Sequence, residues 1–380
     1  MPQIAVIGGG PAGLRTATSL QREGIETVVI EEHSEIGIPE QCSGLISVSG
    51  LKETGIECEE TIVNKICGAR IFSPNSEFLE ILRKEPVAVV VNREKYDKMH
   101  CGIALKAGVQ VRTNAKLIDA RNGNVFIRSD SRGEILKAQI VVGADGVNSK
   151  VRKLMGIPVG TENLIAGYQV RARNPSGWEK DFVQIHFGSF AEGFFGWVIP
   201  ESREIAKIGV GVKFGSNAKK FFSQFVEEKK FEIEELDDIG GIIPCGKAVE
   251  KPVQENMMLV GDSAFHTKAT TGGGLMLGAL GADACSASII DFLAGKEKLE
   301  NYAKRLEPLN RELNSHWKIR QYLNSLSGEK MNSLIRDLKE AKVGEFLAEH
   351  GDMDRPTKFI GKFLSTPKLW KFAGIAMGFR

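Results

Sequence analysis

The strongest constraint on the fold is a glycine-rich turn near the N-terminus. The apolar run Ile4–Ile7 is typical of a buried strand, and a helical pattern begins at Pro11. Between them, Gly8, Gly10 and Gly13 have the spacing G-x-G-x-x-G. Gly8 permits a tight turn, Gly10 lets the backbone approach a pyrophosphate, and Gly13 allows close packing of helix on strand. The pattern predicts a dinucleotide-binding βαβ unit.

The flanking residues supply polar groups for such a ligand. Pro11 and Ala12 open the helix, whose unpaired N–H groups favour a bound pyrophosphate. The second predicted strand, Thr27–Ile30, leads directly into Glu31, which lies 18 residues after Gly13. A carboxylate at this position can accept hydrogen bonds from both hydroxyls of an adenosine ribose.

Composition excludes several other classes. The chain has 380 residues, 42% of them hydrophobic, and a formal net charge of +2, as expected of a globular protein with a few lobes. Without a basic excess, nucleic-acid binding has no support. The six cysteines lack paired C-x-x-C spacing, so we expect reduced thiols and no metal site. The first strand follows Met1 closely and no uninterrupted apolar run reaches membrane-spanning length, so we expect a cytoplasmic protein without a signal peptide.

The remaining pattern predicts an α/β fold with three parts. Residues 1–155 and 255–295 are expected to form a discontinuous Rossmann-like domain. An inserted antiparallel sheet, the substrate domain, is expected over 156–254, with a contribution from about 65–90. Residues 296–380 are expected to form a helical C-terminal region.

Three further motifs make a family resemblance specific. Asp145 lies in a Gly-Ala-Asp-Gly motif after one buried strand, and Gly261 and Asp262 follow another. A glycine cluster before a helix of small residues ends in Gly273, Gly274 and Leu275. Together these motifs resemble the FAD-dependent superfamily of para-hydroxybenzoate hydroxylase over most of residues 1–290. The resemblance implies that the Rossmann-like domain binds FAD.

The resemblance also implies roles at the cofactor. It places Asp262 at the ribityl and pyrophosphate part of FAD, where a simple helix cap is the alternative, and it places Asp145 at the cofactor as well. The amides of residues 273–275 would face the negative charge of reduced flavin. Arg93 matches the superfamily's Arg-x-x-Phe-Asp helix start and would grip pyrophosphate, with a surface salt bridge as the alternative. The backbone of Ala115 corresponds to the position that meets adenine.

A cysteine-containing loop points to one family within this superfamily. The segment with Cys42, Ser43 and Gly44 resembles the loop of the geranylgeranyl reductase family, which reads Cys-Gly-Glu-Gly where this chain reads Cys-Ser-Gly. The resemblance implies that these three residues lie beside the flavin and that Cys42 is catalytic. A buried structural thiol is the alternative for Cys42. We expect the other five cysteines to be structural.

Two aromatic residues carry further alternatives. The segment around Trp197 resembles the Tyr-x-Trp-x-Phe-Pro strand of that family, which implies a catalytic or substrate-side role, whereas core packing is the alternative. The same segment resembles the Trp-x-Trp-x-Ile-Pro strand of flavin halogenases. His266 follows the Gly-Asp motif and either relays protons at the flavin or bonds to the backbone of its own loop.

Two charged segments also have informative patterns. The acidic stretch 227–238 is typical of a solvated helix face and loop. The basic segment 355–380 alternates lysines with large apolar residues, which favours an amphipathic helix on an anionic membrane surface or packed on the protein.

The resemblance implies an FAD-dependent reductase that saturates C=C bonds of geranylgeranyl chains or archaeal-type ether lipids. An isoprenoid lipid would be the substrate, and NAD(P)H, ferredoxin or another external reductant would supply the electrons. The first alternative is a flavin-dependent monooxygenase or halogenase that uses a hydroperoxyflavin. The second is a flavin-bearing lipid carrier without turnover.

Overall fold

A six-stranded sheet forms the centre of the molecule in the computed structural model, which describes residues 3–40, 42–129 and 132–365. Its strands are, from edge to edge, Val253–Gln254, Met257–Leu259, Ile140–Gly143, Ile4–Ile7, Thr27–Ile30 and Gln110–Arg112. Neighbours are parallel except for the first pair. The inner strands are buried along their whole length because both faces of the sheet are covered. The predicted Rossmann-like α/β fold is confirmed.

Helices cover one face of this sheet. They are Pro11–Arg22, Arg93–Lys106 and Leu275–Leu293. Among the described helices, Leu275–Leu293 alone has the length and hydropathy of a membrane span, and 56% of its apolar window is buried. It packs on Pro11–Arg22 as a core helix. At their contact, a Cβ built on Gly278 would lie 3.9 Å from the Ala12 methyl group.

A three-stranded meander and a short helix cover the other face. The meander consists of Ala115–Arg121, Asn124–Ser129 and Arg132–Lys137, and the helix is Lys150–Leu154. A separate small sheet joins Leu45–Ser47, Ala88–Val91 and Ile62–Ile66. The helix Val48–Thr54 directly follows the strand Leu45–Ser47 in sequence. Ile62–Ile66 and the next strand, Gly68–Phe72, are close in sequence but belong to different sheets.

A seven-stranded sheet forms the second lobe. Its order is Glu234–Pro244, Leu164–Arg173, Ile205–Lys213, Gly196–Pro200, Phe182–His186, Gly68–Phe72 and Phe78–Leu82. Every pair is antiparallel except Phe182–His186 with Gly68–Phe72, which is parallel. The helix Ala218–Lys229 packs on one face through Phe222 and Phe225. The domain limits given above stay a prediction.

The interpretation of residues 227–238 is wrong in its second half. The helix ends at Lys229, its cap residue Lys230 has φ of +53°, and the edge strand Glu234–Pro244 follows. This strand pairs along Leu164–Arg173, and its acidic side chains are exposed. Charges on an edge strand discourage pairing with other chains, so an acidic run is compatible with a strand at this position.

The described C-terminal region is helical, as expected. Its helices are Tyr302–Arg305, Glu307–Asn324, Gly328–Glu340, Val343–His350 and Thr357–Leu364. Of the basic segment 355–380, residues 355–365 are described, and the rest of this prediction lies outside the described residues. In its described part, Phe363 is buried against Met331 and Val343, and Arg355 forms an ion pair with Glu53.

Candidate functional site

The glycine turn leaves space at the start of the first helix. A Cβ at Gly8 would lie 2.2 Å from the Ala144 carbonyl oxygen, and one at Gly13 would lie 2.2 Å from the Gly8 carbonyl oxygen. Gly8 also has φ of +107°. Both positions therefore require glycine. A Cβ at Gly10 would meet no atom within 4 Å, so the backbone there faces open space beside the helix N-terminus at Pro11.

Glu31 connects this turn to the second strand. Its Oε2 accepts the backbone N–H of Gly9 at 2.7 Å, and its Oε1 accepts the backbone N–H of His33 at 2.9 Å. The side chain is mostly buried at the end of Thr27–Ile30, where the ribose of a dinucleotide is expected. Its predicted contact with the ribose stays a prediction.

The Gly261–Asp262 motif approaches the first helix. A Cβ at Gly261 would lie 3.0 Å from the Ala12 Cβ. The Oδ1 atom of Asp262 accepts the Thr267 hydroxyl at 3.0 Å and would lie 2.9 Å from a Cβ at Gly274. Burial raises the pKa of Asp262, although the Thr267 hydrogen bond and the positive charge of Arg93 oppose this effect. Three separate segments of the chain therefore meet around Asp262.

Arg93 lies inside the protein rather than in a surface salt bridge. Its guanidinium donates to both carboxylate oxygens of Asp97 at 2.9–3.1 Å, and its side chain is 14% exposed. The predicted grip on pyrophosphate stays a prediction, because Asp97 already occupies the bidentate edge.

Asp145 and Ala115 have local structural partners. The Asp145 carboxylate accepts the Ser149 hydroxyl at 2.6 Å and the Lys150 and Val151 N–H groups at 2.6 and 3.1 Å, so it caps the helix Lys150–Leu154. The Ala115 N–H donates to the Glu31 carbonyl at 2.8 Å. Their contacts with the cofactor stay predictions.

A cavity of about 690 Å³ lies between the late glycine turn and the seven-stranded sheet. Its wall includes six of the predicted site residues: Cys42, Ser43, Trp197, Gly273, Gly274 and Leu275. Cys42 is half-buried and accepts the Gly44 N–H at 3.3 Å on its sulfur, so it is not a core thiol. Gly44 itself has φ of +76° and packs on the Val91 carbonyl.

Trp197 both lines this cavity and belongs to the core. Its Nε1–H donates to Gln169 Oε1 at 3.0 Å, and the ring packs over Gly209, where a Cβ would lie 2.3 Å from Cζ2. It shares a buried cluster with Phe195 and Ile199. The two interpretations of Trp197 are therefore compatible.

His266 bonds to the backbone of its own loop, the second of the two roles considered for it. It is 1% exposed, its Nδ1 accepts the Gly261 N–H at 3.3 Å, and it packs on Gly281. Burial lowers the pKa of His266 to about 4. It is not among the residues that line the cavity.

Sequence reasoning missed three residues at this site. Lys207 is 3% exposed, forms an ion pair with Glu40 and donates to the Cys42 carbonyl at 3.4 Å, which fastens the cysteine loop to the sheet. Cys67, expected to be only structural, lines the cavity. Lys268 lines it too, and pairs with a distant aspartate. No spacing pattern connects these residues, so the sequence held no signal for them.

The donor set fits FAD. Open space over Gly10 at a helix N-terminus suits a pyrophosphate, and the acids Glu31 and Asp262 suit the hydroxyls of ribose and ribityl groups. The glycines at 273 and 274 leave room for a flat ring at the cavity wall. Among the described residues, no cluster of histidine, cysteine or acidic side chains could hold a metal ion.

Comparisons with known proteins agree with this geometry. An FAD binding domain family model matches residues 1–233. An uncharacterized protein of Methanocaldococcus jannaschii is 31% identical, with 99% of this chain and 97% of that protein covered. Digeranylgeranylglycerophospholipid reductase 3 of Methanosphaera stadtmanae is 30% identical, with 90% and 91% covered.

Solved structures share the fold. A geranylgeranyl bacteriochlorophyll reductase-like protein of Thermoplasma acidophilum superimposes with a TM-score of 0.83 at 24% identity, covering 89% of this chain and 91% of that one. The flavin-dependent brominase Bmp2 superimposes with a TM-score of 0.69 at 16% identity, covering 91% and 93%. The brominase likeness extends to the fold alone. With the family model and the reductase relative together, the chain belongs to the FAD binding domain family and, within it, to the geranylgeranyl reductase family of FAD-dependent oxidoreductases.

Proposed function

We propose that this protein uses reduced FAD to saturate the carbon–carbon double bonds of isoprenoid chains, in geranylgeranyl groups or archaeal-type ether lipids. The observation that carries this proposal is the cavity of about 690 Å³ that begins at the Gly272–Leu275 turn. Relatives named digeranylgeranylglycerophospholipid reductase support the substrate class.

The cavity wall has the chemistry of a hydrocarbon site. Its aliphatic lining comes from the small three-stranded sheet and the seven-stranded sheet. It includes Leu45, Ile66, Ile71, Ile81, Val183, Ile185, Ile199, Ile239, Ile242 and Ile243. A prenyl chain has no hydrogen-bonding groups, so it binds where apolar surface can be removed from water. The edge strand Glu234–Pro244 supplies part of this wall, which gives the missed strand a role in substrate binding.

The protein's contribution to the reaction is alignment and exclusion of water. When bound, reduced FAD supplies the hydride. The amides at the start of Leu275–Leu293 and the Asp262 carboxylate orient the cofactor, and the apolar wall keeps water away from the double bond. An unactivated alkene develops no oxyanion, so the rate depends on holding it in line rather than on a charged acid–base pair.

Cys42 and Trp197 are the residues that we assign to the substrate side. Both line the cavity, and both are held by neighbours: Lys207 contacts the Cys42 carbonyl, and Gln169 accepts from the Trp197 indole. We infer that they fix the position of the prenyl chain against the flavin.

The electron donor and the cellular location are part of the proposal. NAD(P)H, ferredoxin or another external reductant would reduce FAD. A cytoplasmic protein that contacts the membrane surface through residues 355–380 could take up lipid, but the described part of this segment packs on the protein through Phe363. A membrane contact would therefore depend on residues after 365.

The test is anaerobic turnover. Protein reduced with dithionite is mixed with geranylgeranyl-containing ether lipid, and products are weighed by mass spectrometry. We expect each reduced bond to add the mass of two hydrogens, in amounts stoichiometric with reduced FAD under single-turnover conditions. Reoxidation of FAD without any mass gain in the lipid would contradict the proposal.

The same reaction separates the alternatives. A monooxygenase or halogenase would leave lipid unchanged without oxygen, and would add oxygen or halide only after air is admitted. A carrier without turnover would bind lipid and leave reduced FAD unaltered.

A further inference from the structure

A buried ion pair connects the late glycine turn to the C-terminal region. The Nζ atom of Lys268 lies 2.5 Å from Oδ1 of Asp354, and the two residues are 6% and 3% exposed. Lys268 belongs to the loop between Asp262 and the glycine cluster, whereas Asp354 follows the helix Val343–His350. The residues are 86 positions apart in sequence, so the pair exists only in the folded chain.

The surroundings hold the carboxylate in place. The Ser47 hydroxyl donates to Oδ2 of Asp354, and His316 contacts the Asp354 carbonyl oxygen through Nε2 at 3.1 Å. Burial lowers the pKa of His316 to about 4, with the nearby positive charge of Lys268 as a smaller cause. His316 is therefore neutral near pH 7 and adds no charge to the pair.

The pair is oriented with its positive end toward the cavity. Lys268 is one of the cavity-lining residues, and Asp354 is not. A Cβ at Gly273 would lie 2.9 Å from Cε and 3.3 Å from Nζ of Lys268, and the Lys268 N–H donates to the Gly273 carbonyl at 3.0 Å. The ammonium group thus lies beside the turn that would face the flavin ring.

Two other basic residues on the cavity wall are placed differently. Arg83 donates to the carbonyl oxygens of Leu347 and Gly351 at 3.3 and 2.6 Å, which engages it with the end of a helix. Lys52 is exposed. Of the three basic residues that line the cavity, Lys268 is the buried one and lies beside the glycine turn.

We propose that Lys268 stabilises the negative charge that FAD gains on reduction, and that Asp354 is the positioning residue that holds its ammonium group in place. Charges interact strongly in a cavity with apolar walls because little water screens them. A buried ammonium without a partner is costly, and the Asp354 carboxylate offsets that cost by pairing with it. The inference rests on FAD binding and not on the identity of the lipid.

The experiment measures the midpoint potential of bound FAD at pH 7 by dye-linked reduction of the holoprotein. Lys268→Met leaves Asp354 buried without its partner, so the double variant Lys268→Met with Asp354→Asn is measured as well, since removing both charges is better tolerated than removing one. We expect both variants to lower the equilibrium constant for reduction at least tenfold, which is about 30 mV for a two-electron couple. Lys268→Arg keeps the charge, and its equilibrium constant for reduction should stay within threefold of the wild-type value.

A partly buried pair outside the cavity provides the matched control. Arg305 and Asp291 form such a pair, and Arg305→Met with Asp291→Asn should cost stability while leaving the potential unchanged. If FAD dissociates from a variant, the ratio of its Kd values for reduced and oxidised FAD gives the same quantity by linkage. An unchanged potential or ratio in both Lys268→Met and the double variant would overturn the inference. The ion pair would then only tether the loop to the C-terminal region. Because lipid is absent, this outcome is independent of the proposed substrate.

Discussion

The Glu31 carboxylate accepts the backbone N–H of Gly9 at 2.7 Å, which fastens the end of the second strand to the glycine turn 22 residues earlier. The carboxylate is therefore oriented before any ligand arrives. An acceptor that is already in place loses less entropy on binding than a free side chain would.

Glu31→Gln should weaken FAD binding. The amide keeps the shape of the side chain but replaces one acceptor oxygen by a donor and removes the charge. We expect the Kd for FAD to rise about tenfold, which corresponds to about 1.4 kcal/mol. Titration of apoprotein with FAD, followed by flavin fluorescence, measures this. Glu32→Gln is the control, because Glu32 is half-exposed and pairs with Lys116; equal Kd values for the two variants would contradict the role of Glu31.

Gly10→Ala should separate binding from folding. No protein atom lies within 4 Å of the added methyl group, so the apoprotein should keep its stability, while the methyl group occupies the space that a pyrophosphate needs. We expect FAD affinity to fall at least tenfold with an unchanged apoprotein Tm. Gly102→Ala adds a methyl group to equally open space within the helix Arg93–Lys106 and should not alter affinity. Normal FAD binding by Gly10→Ala would refute this view of the turn.

Trp197→Phe should reduce turnover more than stability. The change leaves Gln169 without the indole donor and enlarges the cavity beside the substrate, so we expect lipid reduction to slow about tenfold, on the order of 1.4 kcal/mol in the barrier. Trp178 is a matched control because both tryptophans are 8% exposed and Trp178 is not a cavity residue. Single-turnover rates and thermal melts of Trp197→Phe and Trp178→Phe are compared. Equal rates in both would assign Trp197 to core packing alone.

The burial of His266 predicts a stability that declines in mild acid. Its pKa is about 4 in the folded protein, against an ordinary value near 6.5, so below pH 6.5 the unfolded chain takes up a proton that the folded chain does not. Lowering the pH from 7 to 4 should therefore cost on the order of 3 kcal/mol from this residue.

Urea unfolding of wild-type protein and His266→Asn across this pH range checks that expectation. Burial raises the pKa values of Asp97, Asp145 and Asp262, which opposes the histidine effect near pH 4. The difference between the two proteins cancels these aspartates and isolates His266. Parallel pH profiles would show that His266 does not titrate as its burial implies.

Local pattern predicted the elements that bind the dinucleotide. The strands Ile4–Ile7 and Thr27–Ile30 and the helix Arg93–Lys106 occur at the expected positions. Their signals are short-range: a buried apolar run, a glycine turn, and the match of Arg93 to the superfamily's helix start. The convergence of Cys42, Trp197 and the late glycines on one cavity followed from the family resemblance.

Long-range contacts could not be predicted. The pairing of the acidic strand Glu234–Pro244 depends on a partner that begins 70 residues earlier in the chain, and composition alone favours a loop there. The Lys268–Asp354 pair joins a loop to the C-terminal region, and neither residue stands in a motif. Such contacts are selected by the tertiary structure as a whole, so one sequence contains no local sign of them.

The parallel pairing of Gly68–Phe72 with Phe182–His186 has a consequence for how the molecule can be divided. In sequence, Gly68–Phe72 comes before Ile140–Gly143, a strand of the six-stranded sheet, and Phe182–His186 comes after it. The two lobes are therefore interleaved along the chain, and neither is a separable fragment. A piece beginning near residue 160 would leave Phe182–His186 as a bare edge, open to pairing with other copies of itself. A nascent chain must likewise keep its early hairpin, Gly68–Leu82, without its sheet partner until more than a hundred further residues have been made.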